Sequence, residues 1–92
     1  MQNEKEESPR NNLSPYKVSD LYLAAYLRAR GVTFFRAEVN QRKVLFLFEH
    51  RADIERLVQD FFNNSPIPVV DYRNSLRDFK ALIMQLRDGG RP

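Results

Sequence analysis

Apolar and polar residues follow different periods along the chain, and these periods divide it into elements. Ser19 and Asp20 are predicted to start a helix, because the sequence from Asp20 to Arg30 is rich in Leu, Ala and Arg, which are strong helix formers. Gly31 follows as a left-handed stop. β-Branched and aromatic residues then dominate residues 32–39 and 43–49, which predicts two strands joined by a short polar link. Because the link contains no glycine, the pattern leaves the turn type open.

Two further helices follow the strands. Apolar residues recur at i, i+3, i+4, i+7 and i+8 between Ile54 and Phe62, which places them on one stripe of a helix. A pair of prolines then indicates an extended connector. Asp71 is predicted to cap a third helix that runs to Arg87, with its apolar residues spaced 4, 3, 4 and 3 apart.

The predicted element order is therefore α-β-β-α-α, which indicates an α+β fold. An isolated hairpin is marginally stable in water, so we expect a small two-layer domain in which an antiparallel β-hairpin packs on the helices. Residues 1–15 are polar and charged and are predicted to form a disordered leader. Residues 16–88 form the single α+β domain, and residues 89–92 are expected to be a flexible C-terminal tail.

The apolar surface of these elements exceeds what 92 residues are expected to bury. The second strand is apolar on both faces, whereas a half-solvated strand alternates with polar residues, and the first helix is apolar on nearly all sides. We therefore predict a homo-oligomer or a protein partner, with an interface formed by Phe34, Leu45, Leu47, Leu23, Tyr26 and Leu27. The alternative is that the tail or the third helix covers this surface.

Chemistry-bearing residues are scarce. The chain has no Cys, which excludes disulfides and thiolate chemistry, and its single histidine, His50, is interpreted as a polar linker residue rather than a general base. No segment resembles a calcium loop or a glycine-rich phosphate loop. We therefore expect no enzyme activity, no catalytic or metal-binding residues, no cofactor and no small-molecule substrate.

The longest apolar run has five residues, so no membrane span is expected. The first residues are acidic and polar rather than typical of a signal peptide, and a cytoplasmic location is predicted.

Positive charge is concentrated beyond the leader. The chain carries +3, of which the leader contributes −1 and the remainder +4. Basic residues spaced 4, 3 and 7 apart form a row on the third helix, and two more extend it from the hairpin link: Arg73, Arg77, Lys80 and Arg87, with Arg42 and Lys43. Such a row can follow a phosphate backbone, which predicts nucleic-acid binding. An ordinary solvated helix face and an acidic protein partner remain alternatives.

The segment 16–27 reads Tyr-Lys-Val-Ser-Asp-Leu-Tyr-Leu-Ala-Ala-Tyr-Leu. Together with Gly31, the run Val-Leu-Phe-Leu-Phe-Glu at 44–49 and the pair Phe61-Phe62, it resembles a domain-of-unknown-function family of short bacterial and phage proteins. The resemblance covers residues 16–83. It implies a setting in phage or bacterial mobile elements, where small accessory proteins bind nucleic acid or modify a larger complex, and it implies no mechanism.

These observations predict a non-enzymatic binding module. It is expected to be a small accessory protein of a bacterial or phage system that self-associates or joins a larger complex and contacts nucleic acid through the basic helix face. The alternative is an adaptor or inhibitor that docks on a protein through the apolar hairpin face and binds no nucleic acid.

Overall fold

The computed structural model describes residues 14–89, so most of the predicted leader (residues 1–13) and residues 90–92 of the predicted tail lie outside the described residues. The elements, in chain order, are β1 (Tyr16–Val18), α1 (Leu21–Ala29), β2 (Phe34–Asn40), β3 (Lys43–Phe48), α2 (Ile54–Phe62) and α3 (Val69–Gly89). The predicted α+β class is confirmed, as is the order α-β-β-α-α with β2 and β3 as the hairpin.

Strand β1 is an element that the sequence analysis missed. It pairs antiparallel with β3, with Tyr16 opposite Phe48 and Val18 opposite Phe46, so the sheet has the order β1-β3-β2. A strand of three residues is too short to show a period of two. Because β1 and β2 flank it, β3 is the central strand, and Leu47 on the face opposite Phe46 and Phe48 lies between residues of both neighbouring strands.

Backbone hydrogen bonds define both ends of α1. Of the two residues predicted to start the helix, Asp20 is the cap, because its carboxylate accepts hydrogen bonds from the N–H groups of Tyr22 and Leu23, at 2.8 and 3.2 Å. At the other end Gly31 has a φ of 90°, and the Val32 N–H donates to the Leu27 carbonyl at 3.0 Å. This is a Schellman motif, in which a left-handed residue lets the chain turn away from the helix.

Helix α2 ends in the same way, but with asparagine in the glycine position. Asn64 has a φ of 60°, and the Ser65 N–H donates to the Asp60 carbonyl at 3.0 Å. The predicted start of α3 is wrong, because the helix begins at Val69 and Asp71 lies within its first turn. The Tyr72 N–H donates to the Pro68 carbonyl at 2.9 Å, so the helix starts immediately after a proline whose φ already suits it.

The core lies between the helices and one face of the sheet. Phe46 and Phe48 of β3 point to this face, and Phe79 of α3 inserts between the aromatic rings, with its centroid 4.7 Å from that of Phe46 and 4.8 Å from that of Phe34. Ala24 and Ala25 are fully buried on α1, which packs against α3, α2 and β1. The predicted packing of the hairpin on helices follows from these contacts.

The subunit itself buries most of the apolar surface that the sequence analysis assigned to an interface. Four of the predicted interface residues are buried: Leu23, Tyr26, Leu27 and Leu47. The first three belong to α1, which has neighbours on three sides, and Leu47 lies in the central strand between Lys17 of β1 and Arg36 of β2. These four side chains are therefore part of the subunit, and only Phe34 and Leu45 remain partly exposed.

Candidate nucleic-acid interface

The hairpin turn displays one of the predicted nucleic-acid-binding residues. Asn40 pairs with Lys43, which leaves Gln41 and Arg42 as a two-residue turn, and both have positive φ values of 52° and 72°. Positive φ at both central residues is typical of a type I′ turn, whose twist matches that of the flanking strands. Asn-Gly is the usual sequence there, and each ordinary residue costs about 1–2 kcal/mol in this conformation. The exposed Arg42 is thus held at the tip of the hairpin by a strained turn.

The hairpin turn meets the C-terminal part of α3 around two depressions of about 430 and 230 Å³. Arg42, Val44 and Arg87 line both of them, and Lys43 lines the smaller one. We call this surface the basic cleft. Its cationic residues are Arg42, Lys43 and Arg87, and its apolar walls are Val39, Val44, Ile83 and Leu86. Three of the six predicted nucleic-acid-binding residues are therefore brought together by the fold.

The cations of the basic cleft are absent from the ion pairs that the described side chains form. Those ion pairs engage Arg28, Arg36, Arg51, Arg56 and Arg77. Among the side chains that the structure describes, which do not include that of Asp88, none of these ion pairs brings a carboxylate within 4.0 Å of a cleft cation. Like charges from two elements thus face one depression with no described carboxylate paired to them, an arrangement that attracts anions.

The other three predicted residues lie along α3. Arg73, Arg77 and Lys80 are exposed on one side of the helix, and the row reaches Arg87 through the exposed Met84. With a rise of about 1.5 Å per residue, the row from Arg73 to Arg87 is about 21 Å long. We call it the α3 row.

One residue of the α3 row has an acidic neighbour. The Arg77 Nε lies 3.7 Å from Asp78 Oδ1, and Asp78 Oδ2 accepts a hydrogen bond from Arg28 at 3.1 Å. The positive charge of the row is therefore reduced at its middle. It is retained at Arg73 and Lys80, which take no part in the ion pairs formed among the described side chains.

Sequence reasoning missed the apolar walls of the basic cleft. Val39 is 51% exposed although it lies in a strand, and Ile83 and Leu86 are only half-buried although they belong to the apolar stripe of α3. A period of 2 or 3.6 residues shows which residues share a face of a strand or helix. It does not show where that face extends beyond the neighbouring element that covers it. The short polar link was the one available signal, because it indicates which residues lie near the hairpin tip.

The side chain of the single histidine packs against residues at the start of the described chain. His50 Nδ1 lies 3.3 Å from the Ser14 carbonyl oxygen, and its ring packs edge-on against Tyr16 at 5.6 Å between centroids. It thus contacts the segment that leads into β1. Within residues 14–89, no group of three or more His, Cys, Asp or Glu residues is placed to hold a metal ion. Among the described helices, none has both the length and the hydrophobicity that are needed to cross a membrane.

Comparison with known proteins identifies a family but no characterised relative. No curated protein and no solved structure matches the chain. One family model, described as a domain of unknown function, matches residues 14–85, which include the hairpin turn and all of the α3 row except Arg87. The match confirms the resemblance to a family without an assigned function. Because it spans most of the chain, this protein belongs to the DUF5659 family.

Proposed function

We propose that this chain is a non-enzymatic binding module that contacts the phosphates of nucleic acid through the basic cleft and the α3 row. One observation carries the proposal. Arg42 of the hairpin turn and Lys43 at the start of β3 share a depression with Arg87, a residue of a different element far along the chain. Three cations on one concave surface, without described carboxylates in contact, suit a polyanion better than a single acidic side chain.

The types of residue also favour phosphate. A guanidinium group presents donors in a planar fork that matches phosphate oxygens, and the basic cleft carries two of them, on Arg42 and Arg87. The strained turn is consistent with a role for Arg42, because costly backbone conformations cluster at active sites and ligand clamps. The apolar walls of Val39 and Val44 leave room for sugar or base faces beside the phosphates.

The length of the α3 row favours a polymer over a mononucleotide. Its span of about 21 Å is long enough to lie beside several phosphates of one duplex strand, which carries one charge per about 3.4 Å of axis. Contacts of this kind fix the position of a nucleic acid without reading its sequence. We therefore expect binding with strong salt dependence and weak sequence preference.

The experiment is a titration of fluorescently labelled duplex and single-stranded oligonucleotides over a series of salt concentrations. The test variant is Arg42→Gln/Arg87→Gln. The matched control, Lys17→Gln/Arg56→Gln, removes the same charge from exposed positions on β1 and α2. Each lost phosphate contact reduces the slope of log affinity against log salt by about 0.9 for a duplex, so the test variant is expected to reduce it by about 1.8.

The control separates cleft contacts from net charge. If both variants reduce the slope equally, the basic cleft has no special part in binding and the proposal fails. If the wild-type chain binds neither oligonucleotide at low salt, nucleic acid is excluded, and the alternative of a protein-directed adaptor, which would use the partly exposed Leu45, replaces it. Circular dichroism spectra of both variants verify that the fold is kept.

A further inference from the structure

Strand β2 is the longer open edge of the sheet. The strand order β1-β3-β2 leaves two edges, of which β1 has three residues and β2 has seven. No described element pairs with the outer side of β2. Two large apolar residues of this strand, Phe35 and Val39, are each 51% exposed. An open edge with exposed apolar residues is a template for pairing with another strand.

The hairpin fixes which backbone groups face this edge. In a hairpin with a two-residue turn, the closing pair exchanges hydrogen bonds, and every second pair after it does the same. The closing pair here is Asn40 with Lys43, so Glu38 bonds to Leu45 and Arg36 to Leu47. The N–H and C=O groups of Ala37 and Val39 therefore point away from β3, toward the open edge.

We propose that a second copy of this chain pairs antiparallel with β2 about a two-fold axis at Ala37. In this register Ala37 lies opposite Ala37 of the second copy, and their free backbone groups bond to each other. Arg36 lies opposite Glu38 of the second copy, and the two-fold axis repeats this pair. The two side chains share a face, because they lie opposite Leu47 and Leu45 and approach each other to 3.6 Å within one chain.

The charges select this register. Shifting the axis by one residue toward the start of β2 places Arg36 opposite Arg36 of the second copy, and shifting it the other way places Glu38 opposite Glu38. Like charges directly opposite each other destabilise a strand pair, whereas unlike charges stabilise it. A β-bulge between Phe34 and Arg36 interrupts the alternation of β2, so the regular pairing in this register is centred on residues 36–38, where the charged pairs lie.

The inference goes beyond the proposed function, because it names an interface that involves no cation of the basic cleft. It also replaces the surface that the sequence analysis assigned to self-association, most of which lies in the core. The dimer would contain one continuous sheet in the order β1-β3-β2-β2-β3-β1. Since paired residues share a face, both sets of helices would lie on the same side of it.

The test is a charge swap measured by sedimentation equilibrium of the full chain without nucleic acid. We expect the wild type to reach twice its mass of 10.9 kDa at high micromolar concentration. Arg36→Glu alone and Glu38→Arg alone each place like charges opposite each other and are expected to weaken the dimer by roughly tenfold or more. The double variant Arg36→Glu/Glu38→Arg restores both pairs and is expected to restore the dimer.

Rescue by the double variant has to be compared with monomer stability, because the double variant also restores the ion pair that Arg36 and Glu38 form within one chain. Thermal unfolding of all four proteins separates an effect on the monomer from an effect on association. A wild-type chain that stays monomeric overturns the proposal. A dimer whose affinity is the same in all four proteins also overturns it, because its interface then lies elsewhere.

Discussion

The Arg51 guanidinium holds the Asp53 carboxylate through two hydrogen bonds, from Nε to Oδ1 at 2.9 Å and from Nη2 to Oδ2 at 2.7 Å. Its third nitrogen, Nη1, donates to the Gly31 carbonyl at 3.2 Å. One arginine therefore joins the start of α2 to the turn that ends α1. Such a two-bond pair is geometrically specific, because the planar guanidinium matches both carboxylate oxygens.

This ion pair predicts a specific sensitivity to acid. The hydrogen bond from Arg51 lowers the pKa of Asp53 from its ordinary value. A carboxylate with a lowered pKa in the folded state stabilises the protein above its unfolded pKa, and this contribution is lost as the pH falls through the folded pKa. We expect the melting temperature of the wild type to decrease as the pH is lowered below about 4. Asp53→Asn is expected to lower it at neutral pH and to flatten its fall in acid.

The control for this prediction is Glu55→Gln, which removes an exposed carboxylate from the first turn of the same helix. It is expected to leave the acid dependence close to that of the wild type. An Asp53→Asn variant whose melting temperature falls with pH as steeply as that of the wild type would contradict the role given to the ion pair.

A second prediction concerns Gly31. Its φ of 90° is strained for any residue with a Cβ, yet a Cβ built there meets no atom within 4 Å. The cost of Gly31→Ala is therefore a backbone cost alone, and we expect it to lower the free energy of unfolding by about 1–2 kcal/mol. Gly31→Asn is expected to lose less, because asparagine tolerates left-handed conformations better. Urea denaturation measures both, and equal stability of Gly31→Ala and wild type would contradict the Schellman motif.

The third prediction is that Arg42→Gly has opposite effects on stability and on binding. Glycine adopts positive φ without strain, so the hairpin is expected to gain about 1 kcal/mol in the free energy of unfolding. The same change removes a cation from the basic cleft and is expected to reduce the salt slope of duplex binding by about 0.9. Arg42→Lys keeps the charge and the strain, so it serves as the control. If Arg42→Gly binds nucleic acid with the same affinity and salt slope as the wild type, Arg42 has no part in binding.

Sequence patterns identified the parts of this fold that depend on nearby residues. The cap at Asp20, the stop at Gly31 and the limits of α2 follow from local spacing and match the structure. What the patterns missed depends on neighbours that are distant in sequence. Strand β1 exists only through its pairing with β3, and the burial of Leu47 follows from that pairing.

The residues of the candidate site also divide into those that local spacing predicts and those that depend on contacts between distant elements. Helical spacing places Arg73, Arg77 and Lys80 on one side of α3, and the structure keeps them there, exposed. The cleft between Arg42 and Arg87 could not be derived from spacing, because it depends on how far α3 extends past the hairpin. The start of α3 could not be fixed either, because Asp71 and Pro68 both provide signals for a helix start, and the first helical hydrogen bond is accepted by the Pro68 carbonyl.

The last prediction combines the paired edge with the basic cleft. In the proposed dimer the two Asn40 residues lie six positions apart along the paired strands, about 20 Å, and each turn with its Arg42 extends further outward. Two basic clefts on the same side of one sheet then approach the repeat of a duplex, about 34 Å. We expect a duplex of two turns to bind the wild type far more tightly than a duplex of one turn.

Glu38→Arg is the sharpest test, because it adds positive charge and yet opposes pairing of the two β2 strands. It is expected to lose the preference for the longer duplex, and the double variant Arg36→Glu/Glu38→Arg is expected to regain it. If Glu38→Arg keeps that preference, net charge rather than a pair of clefts determines the affinity.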